Sequence, residues 1–347
     1  MSGAQDRQGG LESLKRKVFS LPALVSLAVA SGFLVFLITR FDVDLASTWD
    51  QMRGANPWFL AAAFLVHYTT FIFRGIRWRM LLQHTAGPGV AVPGVVYCSQ
   101  LVLLGWFANS VGWLRLGDAF RAYLYQDEQE GTFSGTIGTI LAERALDTVL
   151  VVALLLIVVP FMVDRNDNVT WTVLGLAVAL AVGLAAVLAA MVWAKGLVIR
   201  KLPNWLSDRY ERFHQGTMGS FQRLPLATFW GLLGWMAEVG RLYLVVRALG
   251  FDLSFPLIVF LTLANSLLSL VPTPGGVGAV ESGVTGLAAR LSRLTASSAA
   301  ALVLVDRFIT YISVILVGAA IFAGRQALRR RNFSLRRRVN LDSADGG

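Results

Sequence analysis

Pro272-Thr273-Pro274-Gly275-Gly276-Val277-Gly278 interrupts an otherwise apolar run from Phe255 to Leu291. Proline lacks an amide donor and glycine adopts backbone that other residues avoid, so this segment ends one helix and leaves carbonyls and amides free. Inside a bilayer such backbone survives only where protein buries it or where it lines a wet cavity. The run from Val92 to Tyr125 is broken in the same way around Gly112-Trp113-Leu114-Arg115-Leu116-Gly117-Asp118. Each run reads as a broken, re-entrant helical hairpin. Gly117 marks the tip of the first, and Pro272, Pro274, Gly275, Gly276 and Gly278 mark the tip of the second. Two pairs of complete spans are the other arrangement, and they leave the orientation of the chain ends unchanged.

Outward from these breaks lie six windows of the roughly 20 apolar residues that a helix needs to cross a bilayer core of about 30 Å. They run near Phe19–Ile38, Pro57–Leu82, Thr132–Val163, Thr170–Ala194, Leu224–Leu249 and Ala296–Ala323. The expected fold is an all-α polytopic membrane protein with about six full spans and two hairpins. The 347 residues are 55% hydrophobic and 15% charged, against about 25% charged in soluble domains, which excludes an ordinary soluble enzyme. The formal charge of +10 collects at the two ends and in one mid-chain loop, without the stripe that nucleic acid requires. With the N-terminus inside, seventeen basic residues fall in cytoplasmic segments (Arg7 to Lys17, Lys195 to Arg223, Arg325 to Arg338) and six fall outside (Arg40, Arg53, Arg165, Arg247, Arg290, Arg293), so the positive-inside bias puts both termini in the cytoplasm. Residues 1–17 then form a cytoplasmic segment, 18–324 one transmembrane domain and 325–347 a basic cytoplasmic tail.

The two halves match in order. Arg74 and Arg77 correspond to Glu238 and Arg241, Ala108-Asn109-Ser110 to Ala264-Asn265-Ser266, Gly117 to Gly278, and Glu143-Arg144 to Asp306-Arg307, with offsets between 156 and 164. Collinear matches in the same helix-hairpin-helix context imply a duplication, with repeat one at about 57–163 and repeat two at about 224–324. An odd number of spans separates the copies, so the repeat is inverted, and both hairpin tips meet near the midplane as in secondary transporters with broken helices.

Seven ionisable residues fall inside the full spans: Glu143, Arg144, Asp147, Glu238, Arg241, Asp306 and Arg307. Unpaired at a helix centre each costs about 2.5 to 3.5 kcal/mol, so they must be paired, hydrated or bound. Spacing offers Arg144 with Asp147, Glu238 with Arg241 and, after the Gly117 break, Asp118 with Arg121, all i, i+3; Glu143 and Asp147 at i, i+4 repel unless a cation or proton intervenes. Structural ion pairs are one reading of these charges. In the functional reading, Arg74, Arg77, Arg115, Arg121 and Arg144 bind a phosphate-type headgroup on the cytoplasmic side and Arg241 and Arg307 receive it on the outer side. Glu143, Asp147, Glu281 and Asp306 then answer to protons or ions. Asn109, Asn265 and Ser266 supply neutral hydrogen bonds or cap the broken half-helices.

Asp42-Val43-Asp44 has the DxD form of metal-dependent glycosyltransferases, but it falls outside by the charge count and reads as a helix cap or a loop. Cys98 alone forms no disulfide framework, and His67, His84 and His214 are too far apart for zinc spacing, so no metal and no cofactor are expected. No P-loop, no GxSxG and no nucleophile-base pair occur. Trp58, Trp171 and Tyr311 read as interfacial or packing residues.

The ordered set Arg77-Trp78-x-x-Leu81-Leu82, Asn109, Arg115-Leu116-Gly117-Asp118-x-x-Arg121, Glu143-Arg144-x-x-Asp147 and Pro272-Thr273-Pro274-Gly275-Gly276-Val277-Gly278-x-x-Glu281 resembles the lysylphosphatidylglycerol synthase transmembrane-region family, over roughly Leu21 to Gly324. The resemblance implies a bacterial or archaeal inner-membrane protein whose best-understood relatives carry aminoacylated phosphatidylglycerol across the bilayer, while others accompany hopanoid, glycolipid or polyprenyl-linked glycan pathways. The sequence departs from the pattern at Trp113-Leu114, where Pro-Gly is usual, and no soluble synthase domain follows. The expectation is a lipid translocator for an anionic or zwitterionic headgroup. The alternatives are a membrane-embedded lipid or glycolipid transferase, with Glu143 or Asp147 as base, and a non-transporting partner of a glycolipid-synthesis complex; the expected partners are membrane lipids and a lipid-biosynthesis enzyme.

Overall fold

The computed structural model describes residues 44–85, 91–112, 116–129, 131–162, 168–201 and 203–344. Among them every regular element is helical: α1 (Leu45–Arg53), α2 (Pro57–Thr85), α3 (Val95–Val111), α4 (Gly117–Glu128), α5 (Phe133–Val158), α6 (Asn168–Lys201), α7 (Asn204–Gly219), α8 (Leu224–Ala248), α9 (Phe255–Leu268), α10 (Ala279–Leu291), α11 (Ala296–Arg307) and α12 (Ser313–Ala344). A π turn at Phe308–Ile312 joins α11 to α12, and a 3₁₀ turn at Ser220–Arg223 joins α7 to α8. The fold is that of an all-α polytopic membrane protein. Five segments are long and apolar enough to cross a bilayer, and each overlaps one of the second to sixth windows read from the sequence. The first window, Phe19–Ile38, lies outside the described residues.

Local chemistry sets the helix starts. Asp44 caps α1 by accepting from the Ala46 amide at 3.0 Å, one of the two roles, cap or loop, read for the DxD motif. Thr132 Oγ1 accepts from Gly135 at the head of α5, and Thr295 Oγ1 accepts from Ser298 at the head of α11. The hairpin helices are short. At 1.5 Å per residue, the 17 residues of α3 and the 14 of α9 reach about 25 Å and about 21 Å, less than the hydrocarbon thickness.

Each hairpin closes on itself, α3 against α4 and α9 against α10. In the first, a Cβ on Gly117 would run into the Gly105 carbonyl, so only glycine lets the two backbones approach this closely. The central contact of the molecule is α2 on α8. One apolar core gathers Trp235, Ile258, Phe260 and Leu302 around α8 to α11, and a second gathers Phe71, Trp78, Leu101 and Tyr125 around α2 to α4. The segment after α6, expected only as a basic cytoplasmic loop, is the helix α7, packed on α5. Glycines make that contact: a Cβ on Gly138 would meet the Phe213 carbonyl, and one on Gly216 the Gly135 carbonyl.

Candidate functional site

Helix α2 presents Arg74 and Arg77 one turn apart, α5 presents Glu143, Arg144 and Asp147, and the first turn of α4 presents Asp118 and Arg121. Arg77 is wholly buried and bridges both α5 carboxylates: Nη1 donates to Asp147 Oδ1 at 2.7 Å and Nη2 to Glu143 Oε1 at 2.9 Å. Arg121 donates to the other Glu143 oxygen at 2.5 Å and stacks on Trp78 at 4.4 Å. Arg74 donates to Asp147 Oδ2 at 3.0 Å and lies against the Trp106 and Trp235 rings. The cation required between Glu143 and Asp147 is thus the guanidinium of Arg77.

Two pairings expected from spacing are corrected. Arg144 turns away from Asp147 and forks onto Asp118, with Nε at 3.0 Å from Oδ2 and Nη2 at 2.8 Å from Oδ1, while Arg121 turns from Asp118 to Glu143. A planar fork across two helices satisfies a carboxylate better than an i, i+3 contact along one helix, and Asp147 already holds two arginines. The pair Glu238 with Arg241 does form, at 3.2 Å.

On the other side of the cavity, Arg241 also pairs with Asp306. Arg307 donates to Glu281 Oε1 at 2.6 Å and to the Gly275 carbonyl at 2.8 Å. Glu281 Oε2 accepts from the Gly278 amide at 2.6 Å, so this carboxylate caps α10 and ties its break to α11. Asn109 Oδ1 does the corresponding work in the first hairpin, accepting from Gly117 N at 2.8 Å. The bonds Asp118 to Arg144 and Glu281 to Arg307 each join residues 26 apart, and 281 minus 118 equals 307 minus 144, namely 163. The two halves therefore carry the same ion pair at the same place after the same kind of break.

Between these groups is a cavity of about 220 Å³. Arg74, Arg144, Asp147, Glu238, Arg241 and Arg307 supply its charged wall, and Asn109, Asn265 and Ser266 add neutral polar groups. Apolar lining comes from Val151 and Val152 of α5, Ala177 and Leu180 of α6, and Leu267 and Leu270 at the second hairpin, and hydroxyl-bearing residues such as Thr148, Thr262, Ser269 and Thr310 complete it. Of the residues singled out in the sequence, Arg77, Arg121 and Glu143 stand behind this wall, and Asp118, Glu281 and Asp306 are each held by an arginine that lines it. Gly275 reaches the cavity itself, and Arg115 and the departure at Trp113-Leu114 lie outside the described residues. Tyr311, which the sequence gave no chemistry, also lines the cavity: it stacks under Arg307 at 4.7 Å, donates to the Ser110 carbonyl at 2.9 Å and fills the space above Gly275. Its position one turn after Arg307 was the available signal. Trp106, Trp235 and His67 were likewise missed. Among the described residues, no group of three or more His, Cys, Asp or Glu side chains is arranged to hold a metal ion.

A sequence profile of the lysylphosphatidylglycerol synthase TM region matches residues 23–318. The chain belongs to this family. Its motifs, as quoted above, supply the cavity arginine Arg144, the ion-pair cluster behind it and the second hairpin tip. Relatives include a UPF0104 membrane protein of Methanocaldococcus jannaschii, 30% identical over 222 residues, covering 62% of this chain and 93% of that protein. A UPF0104 membrane protein of Methanothermobacter thermautotrophicus is 27% identical over 332 residues, covering 86% of this chain and 92% of the relative. A protein of Haloferax volcanii named glycosyltransferase AglD is 24% identical over 319 residues; the match covers 79% of this chain and 50% of that protein. This family member is a multi-pass integral membrane protein.

Proposed function

We propose that the protein is a lipid translocator. It admits an anionic or zwitterionic headgroup into the cavity between its two hairpins while the acyl chains remain in the bilayer. The observation that carries this reading is the cavity's mixed lining, in which the guanidinium groups of Arg74, Arg144, Arg241 and Arg307 meet aliphatic side chains from α5, α6 and the second hairpin. A phosphate-bearing headgroup fits the first and the start of a hydrocarbon chain fits the second. Arg144 and Arg307, at equivalent places in the two hairpin systems, are the groups that hand the headgroup over. Alternating exposure of the hairpins of an inverted repeat supplies the movement. The positive-inside bias favours both termini in the cytoplasm of an archaeal or bacterial cell, with the cytoplasmic membrane as its location. Membrane lipids are the partners, and a lipid-biosynthesis enzyme is the natural supplier of the cargo.

The glycosyltransferase name of one relative favours a second reading, a membrane-embedded transferase. The geometry weighs against Glu143 or Asp147 as its base, because guanidinium donors already occupy both oxygens of each carboxylate. Purified protein in liposomes with fluorescent lipids of different headgroups separates the readings. Under translocation, one headgroup class becomes accessible to an impermeant quencher faster than in empty liposomes, and Arg144→Ala, still inserted, loses the acceleration. Consumption of a lipid only when a soluble donor is added would overturn translocation in favour of the transferase.

A further inference from the structure

His67 is absent from the ion-pair network and from the cavity wall, yet it is wholly buried beside Glu238, with Nδ1 4.0 Å from Glu238 Oε1. It sits in an aromatic enclosure, its ring centroid 5.4 Å from Tyr68, 5.3 Å from Phe71 and 6.2 Å from Trp106. Neither ring nitrogen of His67, nor Glu238 Oε1, has a hydrogen-bond partner among the described residues. Two of these atoms, His67 Nδ1 and Glu238 Oε1, face each other across the 4.0 Å gap, which is costly in a membrane core and calls for a ligand small enough to fit between them.

Charge identifies that ligand. On the α2, α4 and α5 side, Arg74, Arg77 and Arg121 face Glu143 and Asp147, one cation in excess. On the α8 and α11 side, Arg241 alone faces Glu238 and Asp306, one carboxylate in excess. The difference arises at equivalent positions, Arg74 in the first half and Glu238 in the second, 164 residues later. The remaining pairs, Asp118 with Arg144 and Glu281 with Arg307, balance themselves. The groups facing His67 are Arg74 and Tyr68 of its own helix, Glu238 and Arg241 of α8, and the uncharged Trp106 ring of α3; Asp147 and Asp306 reach it only through Arg74 and Arg241.

We propose that His67 Nδ1 and Glu238 Oε1 hold one exchangeable proton, and that its uptake balances the charge of an anionic headgroup entering the cavity. The second half rests on the translocator reading; the proton site itself does not. The proton comes from water at the cavity surface, which Glu238 lines. It binds to His67 Nδ1, the new N–H donates to Glu238 Oε1, and the gap closes to the length of a charge-assisted hydrogen bond, about 2.8 Å. The proton's O–H bond to the donating hydronium breaks and a water molecule is left behind, while His67 Nε2 keeps the N–H of the neutral ring. This site takes the coupling role that spacing alone assigned to Glu143, Asp147, Glu281 and Asp306, each of which is already held by arginine.

The test has two arms. In protein carrying His84→Gln and His214→Gln, so that His67 is the remaining histidine, ¹⁵N NMR follows its protonation in phosphatidylcholine bilayers with and without phosphatidylglycerol. The expected result is a one-proton titration that moves to higher pH when phosphatidylglycerol is present and is altered by Glu238→Gln. In the second arm, movement of fluorescent phosphatidylglycerol is measured against pH in wild type, His67→Gln and Glu238→Gln. Wild type is expected to accelerate as pH falls, by up to tenfold per unit, the slope of a one-proton requirement, and both variants to lose that slope. Lipid movement with the same slope in His67→Gln, together with a His67 signal indifferent to phosphatidylglycerol, overturns the proposal. A shifting His67 signal without lipid movement at any pH keeps the proton site and overturns translocation. If neither variant inserts, the NMR arm decides alone.

Discussion

Asp147 shows how a single side chain holds the cluster together. It accepts from Arg74 and from both nitrogens of Arg77, and those arginines stand on a different helix. Removing one partner of a buried ion pair leaves an uncompensated charge, at a cost of about 3–5 kcal/mol. Asp147→Ala is therefore expected to lower the thermal midpoint of the detergent-solubilised protein sharply. Arg144→Ala should leave stability nearly intact, because its pair with Asp118 is about one-third exposed. The pair itself is tested by reversal: Asp118→Arg and Arg144→Asp should each lose lipid movement, and the double variant should recover part of it. The sequence identified these ionisable residues and their need for partners. Spacing gave the Glu238–Arg241 pair but not the other partners, because i, i+3 spacing describes one helix whereas Arg77, Arg121 and Arg144 choose carboxylates on neighbouring ones. Nor did it single out His67, whose meaning comes wholly from the approach of α8 to α2.

At the scale of elements, the second hairpin was the most legible part of the chain, since two prolines and three glycines within seven residues admit no continuous helix. The structure adds why those glycines are needed. Gly275, Gly276 and Gly278 have φ of 59°, 70° and 90°, where other residues are strained, and a Cβ on Gly276 would lie 2.7 Å from Ser269 Cα. A Cβ on Gly275 would enter the Tyr311 ring and push away the side chain that joins this hairpin to the Ser110 carbonyl of the first. Gly275→Ala and Gly276→Val are expected to abolish lipid movement in protein that still inserts. Gly250→Ala is the matched control: its φ of 70° carries similar strain, but its Cβ meets nothing within 4 Å, so transport should persist. Activity in all three variants would remove the hairpin tip from the mechanism. Helix α7 was not legible, because its polar composition reads as loop and its reason for folding is the glycine contact with α5.

For the molecule as a whole, the two halves share not only motifs but a bond, the aspartate or glutamate after a helix break clasped by an arginine 26 residues later. The sequence carried the order of these elements well, since collinear matches survive without knowledge of contacts. The side of the membrane on which each lies rests on charge bias, and it can be measured. Helix α8 has 25 residues, about 37 Å, enough for one crossing of a core of about 30 Å. Asp208, exposed in α7 before it, and Asp252, exposed in the turn after it, must then face opposite compartments. The concentration of Lys195, Arg200, Lys201, Arg209, Arg212 and Arg223 before α8 predicts a cytoplasmic Asp208. With the buried Cys98 replaced by serine, Asp208→Cys should react with a membrane-impermeant maleimide only in inside-out vesicles, and Asp252→Cys only in right-side-out ones. Reversed labelling would overturn the orientation and exchange the cytoplasmic and outer roles of Arg144 and Arg307. Labelling of both from one side would remove α8 as a single span and, with it, the opposed hairpins on which alternating exposure of the cavity depends.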